Sequence, residues 1–247
     1  MTSLAQPARV LVDPIDGMGA AIEARRWVWP LVLLSLCVAL SGSAFALRWN
    51  AAPAVVQRLQ QSGELSRYSE SELADEIQTA SRKALVGGIA KGVFVMPLQV
   101  LLLAAVLWFA GWLFGTPAAF GRMMSVASIA MLPIALYHLI FAVCAVAQHS
   151  MTEAQVQTLV PSSLAVLKGL SPKLQPALRA VDFFNLWSVV LLGLGFASAT
   201  GMRRGRALLL AVTLYVMYVG VFLIGLPGMS GGEGGPGGRG GPGRGGR

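Results

Sequence analysis

The chain has 247 residues, of which 55% are hydrophobic and only 12% charged, and 19 Lys and Arg against 11 Asp and Glu leave a net charge of +8. So few charges exclude an ordinary soluble domain, where about a quarter of residues are charged, and the mean hydropathy of +0.66 places the chain in a bilayer. The basic residues mostly flank apolar runs, so their expected partners are anionic headgroups rather than nucleic acid.

Residues 1–26 carry Pro7, Asp13, Pro14, Asp16 and Gly17 without periodicity and end in Arg25 and Arg26, which reads as a disordered polar N-terminal tail running into a membrane anchor at Trp27. The first span is predicted at 27–47, WVWPLVLLSLCVALSGSAFAL, with Pro30 tolerated in its first turn and Arg48 and Trp49 closing it. Ala44-Phe45-Ala46 has the small-x-small form of a signal-peptidase site, but the acids upstream and the length of the apolar run favour a retained span. Cys37 and Cys144 both fall in apolar runs and read as packing residues.

The connection 50–92 is polar, and Ser69 with Glu72 three residues on predicts a capping box and a helix start. Leu73, Ile77, Ala80 and Ala84 then recur at helical spacing among charged residues. This amphipathic helix either lies on the membrane, packs on the fold or leads into the next span.

The second span is placed at 93–114, with Trp108 and Trp112 near its far end. Pro97 removes a helical hydrogen bond and predicts a kink, and Gln99 close to the gap is expected to bond to a neighbouring helix. The third span, 124–148, repeats the device at Pro133 and carries His138 beside Tyr137. An ionisable group at that depth is a candidate functional position, although with these limits no Asp, Glu, Lys or Arg lies inside another span to relay its proton, so a packed, hydrogen-bonded His is the simpler expectation.

Residues 149–181 hold short helix signals before LAVLK and KLQPALRAV, too polar to span but apolar enough to dip into the interface. Asp182 opens the fourth span, 183–200, as an N-cap facing the positive end of the helix dipole, with Trp187 as an interfacial anchor. Arg203, Arg204 and Arg206 crowd the turn into the fifth span, 207–226. The Gly/Arg-rich stretch 227–247 cannot bury enough to fold and reads as a disordered C-terminal tail.

The expected architecture is therefore all-α: a polytopic membrane domain of five transmembrane helices over 27–226, with an amphipathic helix in the first long connection and a tail at either end. The chain lacks paired intramembrane carboxylates, a His-x-x-x-His pair, a Gly-x-Ser-x-Gly elbow and a phosphate-binding glycine loop, so a non-enzymatic role without cofactor is expected. Its expected partners are the lipid bilayer and a membrane protein or a second copy. A small permease built on the proline-broken second and third spans is the alternative. The basic short turns at Arg122 and at Arg203 to Arg206 favour a cytoplasmic N-terminus. Arg far outnumbers Lys, as in GC-rich bacterial genomes, so the expected location is a bacterial cytoplasmic membrane.

The run SVASIAMLP at Ser125 to Pro133, the step Asp182-Phe183-Phe184-x-x-Trp187 and the turn GMRRGR after it resemble the Yip domain family over residues 25–226. The resemblance implies a five-span membrane fold, and for eukaryotic members a role in vesicle traffic with Rab-type GTPases. The tyrosine- and glycine-rich head motifs that those members use have no counterpart in residues 1–26, and the Gly/Arg-rich tail is no part of the family pattern. The resemblance thus implies the fold and membrane location of the bacterial branch, not GTPase binding.

Overall fold

The computed structural model describes residues 10, 14–23, 26–152, 155–156, 159–164, 178 and 181–221. Nine α-helices are described: α1 (Pro14–Glu23), α2 (Val28–Arg48), α3 (Ala52–Ser62), α4 (Glu70–Ala90), α5 (Met96–Leu113), α6 (Phe120–Ala130), α7 (Leu132–Ala147), α8 (Phe183–Thr200) and α9 (Arg204–Tyr218). Five helical stretches are long and apolar enough to cross a bilayer: Val28–Arg48, Glu70–Leu113, Phe120–Ala147, Phe183–Thr200 and Arg204–Val221. The predicted C-terminal tail, residues 222–226 of the fifth span and the helix signals between 165 and 177 lie outside the described residues.

The amphipathic helix that Ser69 opens in the first long connection is continuous with the second span, while α3 precedes it as a separate helix. Ser69 caps α4 through its side chain, and Glu72 returns the bond to the Ser69 backbone N–H at 2.8 Å. From there the helix continues through a π-helical segment, Lys91–Val95, directly into α5. Met96 N–H reaches back five residues to Lys91 O, the π pattern. Pro97, which has no N–H to donate, then stands in the first turn of α5. Pro133 occupies the same place in α7, after a break at Met131 that divides the third span. Both prolines thus begin a helical segment where an orphan N–H would otherwise be left.

Inside a bilayer, lipid is as apolar as leucine, so helices associate through close packing and hydrogen bonds. Glycine supplies the close packing. A Cβ on Gly42 would lie 2.6 Å from Gly88 Cα, and one on Gly92 would lie 2.5 Å from Ser35 O. This register makes α2 and α4 antiparallel, backbone against backbone. Gly193 in α8 meets α9 in the same way, where a Cβ would come within 2.8 Å of Leu208 Cα.

One residue range departs from expectation. Residues 14–23, read in sequence as part of a disordered tail, form α1, and Met18, Ala21 and Ile22 are buried in the main core. Gly195 of α8 shows why: a Cβ there would meet Val126 of α6 at 2.9 Å and Met18 Sδ at 3.3 Å, so Met18 fills the groove between α6 and α8. A ten-residue helix is marginal alone, and this docking is what stabilises it.

The apolar interior falls into two clusters. The larger joins α1, α2, α5, α6, the start of α7, α8 and α9 around Leu34, Leu107, Ile129, Leu191 and Phe196. The smaller holds Ala44, Phe141, Ala142, Ala145 and Met151 where α2 and α7 end. Trp49 and Met151 form an isolated bridge at that end, as do Ser163 and Asp182, tying the long 149–181 connection to the bundle.

Candidate functional site

Asp182 precedes α8 in extended conformation, and its Oδ1 accepts the backbone N–H groups of Phe184 at 2.9 Å and Asn185 at 3.2 Å. Ser162, twenty positions earlier, donates its hydroxyl to the other carboxylate oxygen. Backbone bonds from Leu164 N to Val181 O and from Phe183 N to Ser162 O, both 3.1 Å, close the clasp. The carboxylate is buried and three donors satisfy it, so it works as a cap and tether rather than as a free base.

Ser41 of α2 lies 2.8 Å from Nδ1 of His138 on α7. Its hydroxyl also bonds to Val38 O at 2.9 Å. The hydroxyl has one proton for two partners, so while it donates to Val38 the imidazole donates from Nδ1, which leaves Nε2 as an acceptor. A histidine bonded this way joins two spans and keeps one ring nitrogen able to take a proton.

Tyr137 connects the two arrangements. Its ring stands edge-on to His138, with centroids 5.4 Å apart, and edge-on to Phe184 at 5.6 Å, and Phe184 N–H is one of the bonds to Asp182. Ser41, His138, Tyr137, Asp182 and Ser162 therefore form a polar belt across α2, α7 and the start of α8. Ser41 follows the α2 residues of the larger cluster and precedes Ala44 of the smaller one, so the belt crosses α2 between the two. Sequence order alone separates these residues, and it is the fold that assembles them. Among the described residues no three of His, Cys, Asp and Glu group as metal ligands would.

The remaining predicted positions are dispersed. Gln99 is exposed and makes no hydrogen bond among the described residues, in contrast to the interhelical bond expected of it. It follows Pro97 on the outer face of α5, with the core side taken by Val100 and Ala104. Trp187 is half-buried against the larger cluster and packs edge-on to Phe183 at 5.3 Å. Arg203 precedes α9 and Arg204 begins it, both exposed, after a left-handed Gly201 at φ 73°. Arg204 lines a cleft of about 230 Å³ with Leu194, Ser198 and Met202.

Two features escaped the sequence reading. The first is the Gly88-x-x-x-Gly92 spacing, a small-residue helix-contact motif that lies wholly before the predicted start of the second span at residue 93. The second is Lys91, which the predicted limits put outside any span. The structure sets its neighbour Gly92 against Ser35 and Ala39, level with the middle of α2, so a cation stands at that height after all. Lys91 is exposed and has no ion-pair partner among the described residues.

Comparison with known proteins places this architecture. Searches of curated proteins and of solved structures returned no match. The family model described as Yip1 domain matches residues 8–226, a range that takes in α1 as well as every span and so sets the N-terminal helix inside the domain. The chain, a five-span α-helical membrane protein, belongs to the Yip1 domain family.

Proposed function

We propose that this protein is a non-enzymatic membrane organiser that gathers partner membrane proteins or lipids around its bundle. The observation that carries this reading is the outer face of the second span. Phe94, Leu98, Leu102, Phe109 and Trp112 are all exposed there, and only 22% of the most apolar stretch of that span is buried within the bundle, against 56% for the fourth. A span left this open, with aromatic rings along it, presents area for another helix as well as for lipid. Crosslinking in native membranes followed by mass spectrometry tests the reading: a recurring partner supports it, and a chain that crosslinks to no protein and orders no lipid contradicts it.

The location in this reading is a bacterial cytoplasmic membrane with the N-terminus inside. Gly111 sits against Thr116 O, Thr200 and Met123, which brings the turn before α6 and the turn before α9 to one end of the bundle. Arg122, Arg203, Arg204 and Arg206 thus share that end, as positive cytoplasmic loops do. Reporter fusions after Ala118 and after Gln175 test it: a cytoplasmic signal from the first and an external signal from the second support this orientation, and the reverse pattern contradicts it.

A second reading, a small permease, is favoured by the Ser41–His138 bond at 2.8 Å between the first and third spans, the third divided before Pro133 and the second carrying a π segment before Pro97. It predicts saturable solute flux in proteoliposomes, abolished by His138→Phe with expression intact. Absence of flux in wild type contradicts it.

A further inference from the structure

The contacts of Gly88 with Gly42, and of Gly92 with Ser35 and Ala39, fix the height of the residue between them. Lys91 stands level with the middle of α2, a span of 21 residues flanked by Trp27 and Trp49. At 1.5 Å per residue each end of that span is about 15 Å away, beyond the four-carbon stem of a lysine, so the ammonium does not snorkel to the headgroups. Gly92 is buried against α2, whereas Lys91 beside it is exposed. The ammonium has no carboxylate partner among the described residues. Glu76, the nearest acid along its own helix, is four turns earlier, and the other four spans carry no acid. A charge at this depth is costly unless it is paired.

The surface around Lys91 suits a helix. Gly87 lies one turn before it, exposed, and a Cβ there would meet nothing within 4 Å. Val95, Leu98 and Leu102 follow Lys91 at helical spacing and are all exposed. The face thus offers a glycine for close approach, an apolar stripe and one cation. Charge complementarity decides the occupant. Phospholipid phosphates lie at the bilayer surface, out of reach of this ammonium. A second copy brings no carboxylate to this depth, because its spans carry none there and three donors already hold its Asp182. We propose that this face docks a transmembrane helix of another protein that carries an Asp or Glu at mid-depth, its carboxylate paired with Lys91. The proposal rests on the organising role and names the class of partner.

The test places a photoreactive amino acid at position 95 of the full chain in native membranes and identifies the adducts by mass spectrometry. With Lys91 present, a discrete protein adduct is expected, and its crosslinked peptide is an apolar run containing an Asp or Glu. Lys91→Leu should lower the adduct yield about tenfold, as loss of one charge-assisted hydrogen bond would give. Lys91→Arg keeps the charge and should retain the adduct. Because Lys91 has no partner within the described chain, purified Lys91→Leu should melt at or above the wild-type temperature, so the lost adduct does not report misfolding. Undiminished yield from Lys91→Leu, a crosslinked peptide without an acid, or no protein adduct at 95 overturns the proposal. A lower melting temperature also overturns it, assigning Lys91 to a pair within its own chain. Protein adducts elsewhere on the second span that do not depend on Lys91 leave the organising role standing while this proposal falls.

Discussion

Gly42 and Gly88 bring two helix backbones into contact: a Cβ on Gly88 would lie 2.8 Å from the carbonyl carbon of Gly42 and 2.9 Å from its Cα. Backbone cannot rotate away as a side chain can, so Gly88→Ala forces the helices apart and is expected to cost about 1–3 kcal/mol. The adjacent Gly87 is the internal control, because a Cβ there meets nothing within 4 Å. Gly87→Ala should be neutral or stabilising by up to about 1 kcal/mol. Thermal unfolding of the two variants in detergent checks the pair, and equal melting temperatures would refute the close crossing.

The clasp at Asp182 separates into two effects. Asp182→Ala removes the cap of α8 and the acceptor of Ser162, and should destabilise by about 0.5–2 kcal/mol. Ser162→Ala leaves the cap bonds to Phe184 and Asn185 intact and should instead speed hydrogen exchange at Leu164, with the α8 amides unchanged. Exchange mass spectrometry over 159–164 and 183–187 distinguishes tether from cap.

For the Ser41–His138 pair, Ser41→Ala leaves a ring nitrogen of His138 without its partner, and the loss should be larger than in a His138→Phe background. In the latter, Ser41 still donates to Val38. A double-mutant cycle by thermal unfolding should give a coupling of about 0.5–1.5 kcal/mol, the range of hydrogen bonds between membrane helices. Additive effects would mean that the two residues act independently.

The capping box at the start of α4 is pH-sensitive. The backbone N–H and hydroxyl of Ser69 hold the Glu72 carboxyl below its ordinary value of 4.5. A depressed folded value means that the carboxylate stabilises the helix start above the ordinary value and that this stabilisation is lost as pH falls from there through the lower folded value. Hydrogen exchange at the first turn, corrected for intrinsic rates, should therefore accelerate below about pH 4.5 in wild type and show no such step in Glu72→Gln.

Much of the fold is legible in the sequence because long apolar runs between charges permit only membrane helices. The fourth span is read with its limits, Phe183–Thr200, since Asp182 caps one end and Gly201 terminates the other. What the sequence conceals depends on contacts across the chain. The helix Pro14–Glu23 contains Gly, Pro and Asp and resembles a tail, and its Met18 and Ile22 gain a partner only when α6 and α8 form a groove. Lys91 looks like the edge of a polar connection until Gly92 is seen against Ser35 and Ala39. Ser41 is one serine among several in the first span, and nothing local pairs it with a histidine 97 positions away. Gly88-x-x-x-Gly92 is legible as a spacing, but it falls in the polar connection before residue 93, and only the continuous helix from Glu70 carries it into the second span.

The organising role is tested most directly at Phe109, 55% exposed on the open face of the second span, against Ala104, fully buried in the same helix. A photoreactive amino acid placed at each position in native membranes reports what touches that face. Discrete protein adducts at 109 and none at 104 are the predicted result. Lipid adducts alone at 109 would contradict a partner on that face.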